Sequence, residues 1–273
     1  IEDAFKISSE LGFHKGALSS KTVVLPVIQY LYLNDTAIEE VDTEPIHYWL
    51  ATTVLNTVFG NVGSQRVLET AREHVESAET ERFPAEDILE ELRGNGAVTR
   101  LDRETLDDLL EEIGYRSGSR RNVLLTHLYD DRRSGHREYE VDHIFPRGKL
   151  GEEEFLHEQG IELDRVDWFK ENRDHIANLQ LLSGGTGGEN PSKSDRNLTE
   201  WLERIDAGEV DSVSNRTEYF DEHLVPADED LHEYPKFPQF LTGPNGRLQL
   251  IKEQLRESLP LKKPEEVTTS PIG

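Results

Sequence analysis

Apolar residues recur at helical spacing through roughly the first 130 positions, with helix starts and stops between the runs. "KTVVLPVIQYLYL" (21–33) follows a cap-like "LSS", and Pro26 suits its first turn or a kink. "EPIHYWLATTVLNTVF" (44–59) has Pro45 in a first turn and closes at Gly60. "SQRVLETAREHVESA" (64–78) keeps near-helical spacing. "PAEDILEELRG" (84–94) and "DRETLDDLLEEIGY" (102–115) open on acids and end at or near glycine, and "SRRNVLLTHLY" (119–129) adds one more helix. No fixed-period repeat is present, so these Leu, Val and Phe stripes are read as core.

The period changes near residue 134. "HREYEVDHIFP" alternates as a strand does and breaks at Pro146. Residues 151–177 mix a short helix with a loop. "NLQLLSG" (178–184) reads as a second strand, ended by "GGTGG"; no GK[ST] follows, so these glycines form a connector and not a phosphate loop. "NPSKSDRNLTEWLERI" (190–205) reads as a helix capped by Asn190 with Pro191 first, and "GRLQLIKEQLRESL" (246–259) as another before a loose Pro-containing tail. The expected fold class is α+β, mainly α: a helical region (1–133), an embedded strand–loop–strand–helix unit (134–206), and a C-terminal helical region (207–273) that packs back on the scaffold.

Composition narrows the function classes. Acids outnumber Lys plus Arg by 55 to 30 in 273 residues, for a formal net charge of -25. Lysine is scarcer than arginine and the acids are scattered, a pattern expected of a halophile's protein. In molar salt the Debye length is only about 3 Å, so phosphate binding then depends on a metal and a few contact cations. The absence of cysteine excludes disulfides and cysteine-based zinc sites. The absence of methionine, an initiator included, leads to the expectation that the chain begins inside a longer polypeptide or after processing, with room for a further domain in the native protein. No apolar run approaches a membrane span and no signal peptide is visible, so a cytoplasmic location and no membrane partner are expected.

The embedded unit gathers the chemistry. Strand one ends in Asp142-His143, strand two opens at Asn178, and the next helix carries Asn190 and Lys193. If the strands form a hairpin and the helix crosses it, all five polar side chains converge on one cleft. A hard divalent cation wants oxygen ligands, which Asp142 and Asn190 supply. His143 suits taking a proton from an attacking water near neutral pH. Lys193 can place a point charge at phosphate, and Asn178 suits tying down the connecting loop. Singly, each has a plainer role: a strand-end ion pair, a turn residue, a helix cap.

"VDHIFPRGKL", "ANLQLLSG" and "ENPSKSDRN", in that order, resemble the signature of HNH endonucleases of the ββα-metal fold, including the HNH domain of CRISPR effector nucleases. The resemblance runs from Asp142 to about Asn197. It implies Asp142 and Asn190 as ligands of Mg²⁺ or Mn²⁺, His143 as general base, Asn178 as the structural middle Asn and Lys193 as a phosphate contact. Many members also carry a four-cysteine zinc knuckle, which this chain cannot build. A looser likeness, in helix order and scattered residues, connects most of the chain with the C-terminal half of GmrSD-type modification-dependent restriction proteins. That likeness implies DNA as partner, a role in restriction of modified or foreign DNA and in antiviral defence, and an N-terminal ParB-like nucleotide-dependent domain.

Further nucleic-acid contacts are expected at Arg147, Lys149, His175 and Arg196. Between Tyr115 and Lys149, eight cations (Arg116, Arg120, Arg121, Arg132, Arg133, Arg137, Arg147, Lys149) against five acids leave a local net of +3. This is either a DNA-backbone track or a set of solvated arginines. His175 either contacts phosphate or packs structurally, and His47 and His127 read as core-edge residues. The competing functional expectations are a catalytically silent nucleic-acid-binding or assembly module and an RNA-cutting HNH toxin.

Overall fold

The computed structural model describes residues 1–14, 16–18, 20–34, 38–78, 82–94, 96–129, 139–184 and 188–262. Eight helices come first: α1 (Glu2–Glu10), α2 (Leu25–Asn34), α3 (Glu44–Leu55), α4 (Val58–Val62), α5 (Ser64–Ser77), α6 (Ala85–Arg93), α7 (Arg103–Glu112) and α8 (Ser119–Leu128). The starts follow local chemistry. Ser20 accepts the Thr22 N–H at 3.1 Å before a 3-10 turn that leads into α2, and Pro26 lies in the first turn of that helix. Asp102 accepts the Thr105 N–H at 3.0 Å and so satisfies one of the free donors at the head of α7.

One helix expected over 44–59 is two. Thr57 sits in the left-handed region at φ 52°, and the Asn56 amide donates to the Arg100 carbonyl at 3.0 Å, so α3 stops at Leu55. Gly60 lies inside α4 and does not end α3.

Strands β1 (Tyr139–His143) and β2 (Leu179–Ser183) form an antiparallel pair, with Asp142 opposite Gln180 and His143 opposite Leu179. Residues 134–138 of the expected first strand lie outside the described residues. Two short helices, α9 (Glu153–Glu158) and α10 (Val166–Asn172), occupy the connection where one was expected. Leu179, Gln180, Leu181 and Leu182 are all buried, so side chains of β2 are covered on both faces of the pair, Gln180 among them as a buried polar residue.

After β2 come α11 (Glu189–Lys193) and α12 (Leu198–Asp206), where one helix over 190–205 was expected. The chain breaks at Ser194, φ 47°, and restarts at a capping box between Asn197 and Glu200. Gly188, not Asn190, is the N-cap residue of α11. Helices α13 (Arg216–His223), α14 (Phe237–Thr242) and α15 (Arg247–Ser258) complete the described chain.

Buried residues from all these regions make one continuous apolar cluster. Phe145, two residues past β1, holds the end of that strand in it. Its ring meets Tyr234, Phe237 and Phe240 at centroid separations of 5.5, 5.1 and 4.9 Å. Burying such a side chain is worth about 1.5–3 kcal/mol. Arg247 at the head of α15 is fully buried and donates to the carbonyls of Ala177, Leu179 and His223 at 3.0, 2.7 and 2.9 Å. No helix among the described residues is long and apolar enough to cross a membrane.

Candidate active site

Alternation along β1 places Glu140 and Asp142 on one face, with Gln180 and Leu182 of β2 beside them. Helix α11 lies against that face. The Asn190 amide nitrogen donates to the Glu140 carboxylate. Lys193 Nζ lies 2.9 Å from Asp142 Oδ2 and donates to the His143 carbonyl at 2.8 Å. Gln180 Nε2 donates to the same Asp142 Oδ2 at 2.9 Å, and the Tyr219 hydroxyl donates to Gln180 Oε1 at 2.8 Å. A buried polar chain thus runs from α13 through β2 to the end of β1.

This arrangement corrects the role given to Lys193. Its side chain is 0 % exposed, and the ammonium is bound between Asp142 and a backbone carbonyl. Burial lowers its pKa, and the Asp142 carboxylate works against that shift. The cation neutralises Asp142 inside the protein and is not presented to a phosphate.

The His143 imidazole turns to the other side of the hairpin, so the expected single cleft is realised only in part. Its Nε2 is 3.0 Å from Asp174 Oδ1, and its ring lies 4.8 Å from the Tyr115 ring. Arg147 grips the same carboxylate, Nε to Oδ1 at 2.7 Å and Nη2 to Oδ2 at 3.2 Å. Burial lowers the pKa of His143, against the bond and charge of Asp174 and the charge of Asp142. Partial burial pushes the Asp174 pKa up, but its bonds to Arg147 and His143 outweigh this and hold it below the usual carboxylate range.

Asn178 is fully buried and joins the strand end to the loop. Its Oδ1 accepts the Phe145 N–H at 2.8 Å, and its Nδ2 donates to the carbonyls of Phe145 and Arg173 at 3.0 and 2.8 Å. Only the side-chain amide of Asn or Gln offers both an acceptor and two donors at one point. The residue therefore fixes where β1 ends and where His143 stands.

The remaining candidate cations are mostly engaged within the fold. Arg147 is paired with Asp174 as above. Lys149 Nζ lies over the Phe155 ring, 4.8 Å from its centroid. Arg196 donates to the carbonyls of Ser192 and Lys193 at 2.6 and 3.2 Å and so caps the end of α11. His175 accepts the Ala177 N–H on Nδ1 at 3.0 Å, its Nε2 is buried without a partner, and the ring does not reach out to a phosphate. Arg120 binds Glu112 at 3.0 Å and the Leu55 carbonyl at 2.9 Å, and Arg121 holds the Tyr115 carbonyl. Arg132, Arg133 and Arg137 lie outside the described residues.

Sequence reasoning missed several residues that build the site. Glu140 was findable, because period-two alternation puts it on the face of Asp142. Glu189 is buried and accepts from Ser183 N–H, Ser183 Oγ and Ser212 Oγ at 3.0, 3.1 and 2.6 Å, which pins the start of α11. Asp174, Tyr115 and Arg247 carry no local signal, since only the fold brings them to the hairpin, and Gln180, on β2 itself, meets Asp142 only through the strand register.

The donor set suits a hard divalent cation. Both Asp142 contacts fall on Oδ2, and Asn190 bonds Glu140 through its nitrogen. Among the described residues Asp142 Oδ1 and Asn190 Oδ1 carry no hydrogen bond and are hard oxygen donors, with the Glu140 carboxylate, bound to the Asn190 amide, alongside. Among the described residues, no group of three or more His, Asp or Glu side chains is placed to hold a metal ion. No protein-family model matches the chain, and no curated protein matches it.

Proposed function

We propose that this chain is a metal-dependent HNH-type endonuclease that hydrolyses DNA phosphodiesters, the nuclease part of a system restricting modified or foreign DNA. The observation that carries the proposal is the β1–β2–α11 arrangement: Asp142 and Asn190 meet one face of the hairpin, His143 stands at the end of β1, and Asn178 fixes that end. Asp142 and Asn190 would hold Mg²⁺ or Mn²⁺. When bound, such an ion supplies positive charge against the charge that builds on the phosphate and the leaving oxygen. The chain's own residues do the rest. His143 accepts a proton from the attacking water, Asn178 and Phe145 keep the imidazole in place, and Lys193 orients Asp142.

The test is nicking of supercoiled plasmid with Mg²⁺ or Mn²⁺ from low to molar salt, beside a single-stranded RNA of mixed sequence. The expected result is metal-dependent DNA cleavage, abolished in His143→Ala with the fold retained by circular dichroism. Cleavage that persists in that variant overturns the mechanism. The pairing of Asp142 with Lys193 favours one other reading, a silent binding module, whose mark is DNA binding with no cutting at any metal concentration.

A further inference from the structure

We infer that Asp174 is the positioning residue of a His143–Asp174 pair, which fixes the imidazole as the Nε2–H tautomer and leaves Nδ1 as the proton-accepting nitrogen. This inference rests on the nuclease reading for its catalytic meaning, but the pair itself does not.

An imidazole has one donor and one acceptor nitrogen when neutral, and the hydrogen bond at one nitrogen decides the role of the other. His143 Nε2 faces a carboxylate oxygen at 3.0 Å. A carboxylate accepts and never donates when ionised, so Nε2 must carry the proton. Arg147 keeps Asp174 ionised through two contacts of its own, at 2.7 and 3.2 Å. It also holds the carboxylate still, so Asp174 cannot rotate away from the ring. Tyr115 closes one side of the imidazole at 4.8 Å. Nδ1 makes no hydrogen bond to another described residue, and the side chain keeps 10 % of its surface exposed.

In hydrolysis the balance is as follows. The water oxygen forms the new bond to phosphorus and gives one proton to Nδ1. The bond from phosphorus to the 3′ oxygen breaks, its electron pair stays on that oxygen, and solvent protonates it. The imidazolium then returns its proton to bulk water. Asp174 takes no proton at any stage. It orients the ring and faces the positive charge that forms on it.

Long-range ¹H–¹⁵N spectra of ¹⁵N-histidine-labelled protein at pH 8, with the His143 signals assigned by their loss in His143→Gln, test the pair without any need for activity. The expected result is the Nε2–H pattern for His143 in the wild-type chain. An Nδ1–H pattern overturns the inference. In plasmid nicking, Asp174→Asn is expected to lower kcat by about 10²-fold or more with KM within about threefold, and Asp174→Glu to restore part of kcat. An Asp174→Asn variant with kcat within twofold of wild type also overturns it. If the wild-type chain cuts nothing while His143 shows the Nε2–H pattern, the nuclease reading fails and the pair stands.

Discussion

A fully buried ammonium beside a carboxylate is held as much by the cost of separating the two as by their attraction. Lys193 and Asp142 are in this position, with the lysine side chain 0 % and the aspartate 14 % exposed. Lys193→Met should therefore cost about 3 kcal/mol or more in urea denaturation, because it leaves Asp142 without its countercharge, with only the Gln180 amide still donating to it, and takes the Lys193 donor from the His143 carbonyl. Adding Asp142→Asn to it should recover part of that loss, as residues in one network do. A single-variant loss under about 1 kcal/mol would mean that water already shields the carboxylate. At this scale the sequence marked Asp142, Asn190 and Lys193 as residues of one site. It did not mark their partners. Lys193 reads as a solvent-facing cation because lysine is almost never buried unless it is paired, and the pairing is visible only in the fold.

Helix α11 spans five residues, too short to persist without tertiary support. Glu189 supplies one support by bonding Ser183 and Ser212. Gly188 supplies another, since a Cβ there would collide with the Ser183 and Gly184 carbonyl oxygens. Gly188→Ala should push the head of α11 off the hairpin and lower the melting temperature by about 5 °C or more, read by circular dichroism. An unchanged melt would show that the backbone at Gly188 moves clear of the Ser183 and Gly184 carbonyls without cost. The sequence placed a helix in this region but fused α11 with α12. The break had a local signal, since "SKSDRN" is rich in Ser, Asp and Asn and Asn197 with Glu200 has the capping-box spacing; what stops α11 is Ser194 at φ 47° together with that Asn197 cap. A positive φ likewise splits α3 from α4 at Thr57.

Acid sensitivity belongs to the molecule as a whole. His14, His143, His175 and His232 all have pKa values lowered from 6.5, each chiefly by burial. For His175 the geometry agrees, because protonating Nδ1 would take away the acceptor of the Ala177 N–H. Below 6.5 the unfolded chain binds protons that the folded chain refuses, so stability falls as pH drops through that value and levels off below the folded values. The melting temperature should decline between pH 7.5 and pH 5. His175→Asn, which can still cap Ala177 and cannot titrate, should flatten that decline. An unaltered slope in this variant would remove His175 from the account.

The sequence by itself determined the helical regions, the change of period near 134, the two strands and the order Asp142, His143, Asn178, Asn190, Lys193. These are local properties: spacing, caps, and residue types a few positions apart. The tertiary structure alone decided that His143 turns to Asp174 and Tyr115, that Lys193 is buried against Asp142, and that Arg247, more than sixty residues past β2, bonds the carbonyls at its start. Such partners are set by which distant backbone atoms need a donor or an acceptor once water is excluded, and that need does not exist until the chain has folded.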